Sequence, residues 1–188
     1  MEPLRIHRLI IFGPCGVGKG TQAELVAKKL NLKHFSTGEI LRQAVAEGTE
    51  LGKKAKAVMD SGALVSDDIM IGIVKEALAN PDSANNFILD GFPRTLAQAE
   101  ALDKIFDELG YDNINVISLT ANEQELIDRL LKRGRSDDTE ETVKHRINVY
   151  NESTAPILAH YDGKYNIIEV DGVGDIEAIN EKILKYVA

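Results

Sequence analysis

The sequence predicts an α/β fold, a parallel sheet of about five strands with helices on both faces. Two observations carry that prediction. Short aliphatic runs alternate along the chain with segments of helical periodicity, and strands separated by helices pair in parallel through right-handed crossovers. In addition, the residues richest in chemistry stand directly behind two of the aliphatic runs, at 13–21 and 90–94. Open α/β sheets gather ligands at the carboxyl ends of their strands.

The first strand is Arg8-Leu9-Ile10-Ile11-Phe12, followed by a glycine-rich turn. From Gly20 to Leu30 the apolar residues Ala23, Leu25, Val26, Ala27 and Leu30 recur at helical spacing. His34-Phe35-Ser36 is a further short strand. Asn86 to Asp90, Ile114 to Leu119 and Tyr165 to Val170 read as buried strands. Helical patterns follow them at Leu96 to Leu109, Glu123 to Lys132 and Ile176 to Val187. Two stretches interrupt the alternation: a mainly helical insertion over about 36–65, punctuated by Gly48, Gly52 and Gly62, and a short polar excursion over about 132–138. The 188 residues fit one domain, and no repeat or Pro/Ser linker divides them.

Composition narrows the function. The net charge of -8 argues against a broad nucleic-acid surface, yet allows a small anionic substrate wherever basic groups converge in a cleft. No apolar run approaches the ~20 residues that span a bilayer, and Met1 to Arg5 do not resemble a secretory leader. A cytoplasmic protein without membrane attachment is expected. The single Cys15 rules out an intrachain disulfide and a thiolate zinc site. His7, His34, His145 and His160 fall at no metal-ligand spacing and read as surface or packing residues.

Gly13-Pro14-Cys15-Gly16-Val17-Gly18-Lys19-Gly20-Thr21 has the pattern of a phosphate-binding loop, set between a strand and a helix as that motif requires. Glycines let successive N–H groups turn toward an anion, the helix N-terminus adds its positive dipole end, and Lys19 adds a mobile charge. A glycine-rich turn that only packs helix on strand is the plainer alternative, and the lysine and the flanks speak against it. Gly20 intervenes between Lys19 and Thr21, a departure from the general pattern that weakens the inference of a hydroxyl on Mg²⁺. Cys15 is either a thiol activated by the helix N-terminus or a small residue tolerated at a crowded turn. Behind the Asn86–Asp90 strand, Asp90 is placed to hold Mg²⁺ directly or through water, and Arg94 to grip a phosphate with its planar fork.

The loop, the segment Ser36-Thr37-Gly38-Glu39-Ile40-Leu41-Arg42, the run Asp90-Gly91-Phe92-Pro93-Arg94-Thr95, and the series Arg129, Arg133, Arg135, Asp137, Asp138 and Arg146 together resemble the adenylate kinase family, in its short-lid form. The resemblance covers essentially the whole chain. It implies a single P-loop kinase domain over 1–188, with an NMP-binding insertion at about 36–65 and a lid at about 132–138. It implies that Gly16, Val17, Gly18, Lys19, Gly20 and Thr21 hold ATP phosphates, that Arg129 lies on the ATP base, and that Gly174 offers it a backbone contact. Thr37, Arg42, Ala63, Leu64, Val65, Gly91, Phe92, Pro93, Arg94 and Gln98 would form the AMP site. Arg133, Arg135 and Arg146 would converge on the phosphates, and Asp90 would orient hydrated Mg²⁺. The implied reaction is reversible, ATP + AMP = 2 ADP. No thiolate cluster is present to hold structural zinc, and a monomer is the default expectation. Only Gly134 separates Arg133 from Arg135, where many relatives carry a longer loop.

Thr37, Thr95 and Gln98 resemble the AMP-selective branch, with UMP/CMP kinase as the alternative in the same class. A non-catalytic nucleotide-sensing protein is the alternative of another class. An Asn-Lys-x-Asp base-reading motif is absent, and Pro93 stands where the Asp-x-x-Gly switch of GTPases needs glycine. The arginines from 129 to 146 are either phosphate ligands or a solvated face paired with Asp137, Asp138, Glu140 and Glu141.

Overall fold

Strand β1 (Arg8–Phe12) is buried along its whole length, which is why it reads as an aliphatic run without the alternation of a half-exposed strand. Leu9 and Ile11 join one apolar cluster while Ile10 and Phe12 join the other. Its only charged residue, Arg8, is held by Asp112 at 2.9 Å and lies 4.4 Å from the Tyr111 ring centre. The structure, a computed structural model, describes residues 6–80 and 86–188. The expectation placed on Met1 to Arg5 lies outside those residues.

Around β1 the chain builds a five-stranded parallel sheet from β2 (Lys33–Ser36), β3 (Phe87–Asp90), β4 (Ile114–Thr120) and β5 (Asn166–Asp171). The order is β2-β3-β1-β4-β5. Ile11 pairs with Asp90, and Asp90 with Ser36, so the ends of three strands are level where the glycine-rich loop leaves the sheet.

On the Leu9 face pack α1 (Lys19–Leu30), α6 (Glu123–Arg133), α7 (Glu140–Val149) and α9 (Ile176–Val187). The Ile10 face is covered by α2 (Thr37–Glu47), α3 (Glu50–Asp60), α4 (Asp67–Ala79), α5 (Leu96–Leu109) and α8 (Ile157–Tyr161). The two-faced parallel sheet expected from sequence is therefore present. Helices α4, α7 and α8 were not foreseen. In α4 the run Ile69-Met70-Ile71-Gly72-Ile73-Val74 is apolar on every side, so its buried stripe of Met70, Val74 and Leu78 has no polar contrast to reveal it.

One expectation is corrected. Gly48 and Gly62 do close helices, but Gly52 lies inside α3. A Cβ there would sit 2.0 Å from the carbonyl oxygen of Ala44 on α2. Gly52 is present because the two helices touch backbone to backbone. Among the described residues, no helix is long and apolar enough to cross a membrane.

Candidate active site

The loop after β1 curls against α6. Gly16 has φ +87, and a Cβ there would lie 2.8 Å from Leu130 Cγ, so both backbone conformation and space require glycine. Lys19 opens α1, and its Nζ folds back to donate to the Pro14 carbonyl at 3.1 Å. Burial pushes the Lys19 ammonium below its ordinary pKa, with Asp90 pulling the other way.

Asp90 closes β3 on the far side of this loop, 7% exposed. A Cβ added to Gly20 would be 3.6 Å from Asp90 Oδ2, which measures how closely loop and strand end approach. Burial alone would raise the Asp90 carboxyl, but His34, Lys19 and Arg94 outweigh it and hold the group below the usual carboxylate range. The buried His34 Nε2 lies 3.5 Å from Asp90 Oδ2. His34 therefore faces the site, contrary to its expected place as a surface or packing residue.

Beyond Asp90, the Thr37 hydroxyl donates to Gly91 O at 3.0 Å, and Arg94 Nε donates to the same carbonyl at 2.8 Å. Burial lowers the Arg94 pKa, Arg146 and Arg42 press in the same direction, and Asp90 opposes them. The Gln98 amide accepts from the Arg94 backbone N–H at 2.8 Å and donates to Asp67 at 2.9 Å.

The opposite wall comes from α6, α7 and the segment between them. Arg129 donates to Glu125 at 2.6 Å and to the carbonyls of Gly172 at 3.0 Å and Val17 at 3.4 Å. Arg133 pairs with Asp138, and Arg146 with both Asp137 and Asp138. Glu140 pairs instead with Lys144. Burial lowers the Arg135 pKa, and Arg133 and Arg42 add to the effect.

These groups enclose one cavity of about 780 Å³. Its walls include Gly16, Gly18, Lys19, Gly20 and Thr21; Thr37 and Arg42; Ala63, Leu64 and Val65; Asp90, Gly91, Arg94 and Gln98; and Arg129, Arg133, Arg135 and Arg146. Seven Lys and Arg side chains meet four carboxylates there, a local cationic surplus in a chain of net charge -8. Arg129, Arg133, Arg135 and Arg146 all face the cavity, and Arg133 and Arg146 are paired with Asp137 and Asp138.

Four expected residues do not line it. Val17 is 2% exposed, its side chain in the Leu9-face core and its N–H given to Pro14 O. Phe92 is 1% exposed within the other core, and Pro93 follows it through a cis peptide outside the walls. Gly174 stands past the end of β5, outside the walls. Sequence reasoning missed His34, Asp137 as a wall residue, the Gly172 carbonyl and Asp67 behind Gln98. His34 stands in a run marked only as a strand and Asp137 in the polar excursion, while Asp67 and Gly172 fall in no marked run, so patterning assigned none of them to the site. Cys15 does line the cavity, but burial pushes its thiol up against the pull of Lys19 and Arg146, so the activated-thiol alternative is not met.

The family model described as adenylate kinase matches residues 11–166. An adenylate kinase of Stenotrophomonas maltophilia (strain K279a) is 47% identical over 181 residues, covering 94% of this chain and 97% of the relative. One from Leptospira biflexa serovar Patoc is 47% identical over 186 residues, covering 97% of this chain and 100% of the relative. One from Synechococcus sp. (strain RCC307) is 47% identical over 182 residues, covering 97% and 99%. With a parallel sheet, a glycine-rich loop behind its central strand and a cation-lined cavity across the strand ends, the chain belongs to the adenylate kinase family, a family of phosphotransferases.

Proposed function

We propose that this chain catalyses Mg²⁺-dependent phosphoryl transfer between ATP and AMP, giving two ADP, with both nucleotides held end to end in the one cavity. The observation that carries it is convergence. Lys19, Arg42, Arg94, Arg129, Arg133, Arg135 and Arg146 come from five separate parts of the chain and line the same 780 Å³ space.

The acceptor phosphate oxygen is already ionised near neutral pH, so no general base is needed. The obstacle is repulsion between two polyanions, which preorganised cations lower by neutralising the oxygens and aligning donor with acceptor. Lys19 and the loop from Gly16 to Thr21 take the ATP phosphates; Val17 contributes by its backbone and packing. Arg129 lies toward the ATP base, with Gly174 at that end. Thr37, Arg42, the segment Ala63 to Val65, Gly91, Arg94 and Gln98 take AMP, and Phe92 and Pro93 shape the turn that presents Arg94. Arg133, Arg135 and Arg146 close on the transferring group. Asp90, ionised and next to Gly20, fits an oxygen donor to Mg²⁺ or its waters. The ion, when bound with ATP, supplies charge neutralisation at the phosphate oxygens.

The α2–α3 hairpin within 36–65 acts as the NMP-binding insertion and the segment around 132–138 as the lid, moving over the sheet to exclude water before transfer. The enzyme is proposed to act as a monomer. Incubating the protein with Mg-ATP and AMP, beside UMP, CMP and GMP, and measuring ADP tests the reading. Preferential consumption of AMP is expected; preference for UMP or CMP, or no ADP, overturns it.

A further inference from the structure

The Gln98 amide in the cavity wall is held at both ends. Its Oε1 accepts the Arg94 backbone N–H at 2.8 Å, and its Nε2 donates to Asp67 Oδ1 at 2.9 Å. The same Asp67 oxygen accepts the Thr95 hydroxyl at 2.9 Å. Gln98 is 1% exposed and lines the cavity, whereas Asp67 does not.

A backbone N–H can only donate and a carboxylate can only accept. The reversed amide would set N–H against N–H at Arg94 and oxygen against oxygen at Asp67. The orientation is therefore dictated by chemistry, although O and N of a glutamine are near-equivalent in shape. An amide carries two N–H groups and two oxygen lone pairs. After these two bonds, one donor and one acceptor remain. Their order matches a base edge with a ring-nitrogen acceptor beside an amino donor, as in adenine. A 6-oxo-purine offers the reverse, a ring N–H beside a carbonyl.

We propose that Asp67 is a specificity-determining positioning residue: by fixing the Gln98 amide it makes the site select a 6-amino-purine monophosphate over a 6-oxo-purine monophosphate. The proposal rests on the reading of this cavity as the AMP site. Asp67 acts through Gln98 and touches no substrate. A site built on hydrogen bonds rejects a mismatched edge because its own buried polar groups are left unpaired.

The test measures kcat and KM of the purified full chain with Mg-ATP and either AMP or IMP, for wild type, Asp67→Ala and Asp67→Asn. Asn keeps an acceptor oxygen for both donors, so D67N should stay close to wild type. In D67A, KM for AMP should rise about tenfold with kcat within about twofold, and the AMP-to-IMP ratio of kcat/KM should fall about tenfold. Equal losses on AMP and IMP in D67A mark a merely structural residue and overturn the proposal, as does a D67N ratio that falls as far as that of D67A. If D67A does not fold, Asp67→Glu displaces the oxygen by one methylene and should lower the same ratio; an unchanged ratio overturns the proposal. A wild-type protein that makes no ADP from AMP overturns the functional reading, and the proposal with it.

Discussion

Arg133 and Asp138 form a two-point ion pair, Nε to Oδ2 at 2.8 Å and Nη2 to Oδ1 at 2.7 Å. Arg146 reaches the same Oδ1 at 3.2 Å. The Asp138 side chain is wholly buried, so a carboxylate occupies the guanidinium faces to which the functional reading assigns phosphate. Asp138 orders both arginines, and on that reading it competes with phosphate for them.

Asp138→Asn is therefore expected to leave Arg133, Arg135 and Arg146 in mutual repulsion and to destabilise the protein by about 1–3 kcal/mol. Added ATP, without magnesium, should restore part of that loss. Thermal melts with and without ATP check this, the Tm gain on ATP being larger in the variant. An equal or smaller gain refutes the competition.

Arg135, in the polar segment between α6 and α7, makes no side-chain ion pair with a carboxylate among the described residues, although its backbone N–H donates to Asp138. Its guanidinium is free to follow a transferring phosphoryl group. Removing an arginine that stabilises such a transition state costs about 10³- to 10⁵-fold in rate. Arg135→Ala should show a kcat loss of that order with its Tm and circular dichroism intact. Unchanged kcat in folded protein defeats the assignment.

Gly52→Ala places a methyl group 2.0 Å from the Ala44 oxygen, so α2 and α3 must part. Overpacking of this kind costs about 1–3 kcal/mol. Urea titration should show the loss, and amide exchange should rise within 37–60. KM for AMP should increase while KM for ATP holds, because α2 carries Thr37 and Arg42. A parallel change in both constants would place the damage elsewhere.

Asp103 tests the pH response of the fold away from the cavity. Burial alone would raise its carboxyl, but Lys164 at 2.6 Å, Tyr165 at 2.6 Å and His160 at 2.8 Å outweigh it and hold the pKa below the usual carboxylate range. A depressed folded pKa stabilises fully above the unfolded value near ~4 and loses that contribution as pH falls through the folded value. Asp103→Asn should melt below wild type at pH 7, with the gap closing as pH drops from about 5 toward 3. A gap independent of pH in that window counts against the carboxylate.

The glycine-rich loop, Asp90 and Arg94 were legible because each sits in a contiguous stretch whose local backbone does the positioning. A strand end, a tight turn and a helix start place Lys19 and Gly20 without help from distant residues. The arginines from 129 to 146 were legible as a group but not in their partners, which depend on how α6 and α7 meet. Gly52 read as punctuation because a glycine that ends a helix and one that admits a neighbouring helix look alike in one dimension.

From sequence alone came the alternation of strand and helix, the side of the sheet that carries the chemistry, and the types of group gathered there, since these follow from periodicity and short motifs. Tertiary structure alone decided that Asp67 holds Gln98 from another helix, that His34 faces Asp90 from a neighbouring strand, and that Asp138 serves two arginines at once. Those contacts join residues from separate elements, and hydrogen bonds act over about 3 Å. Only the packed fold brings such groups within that reach.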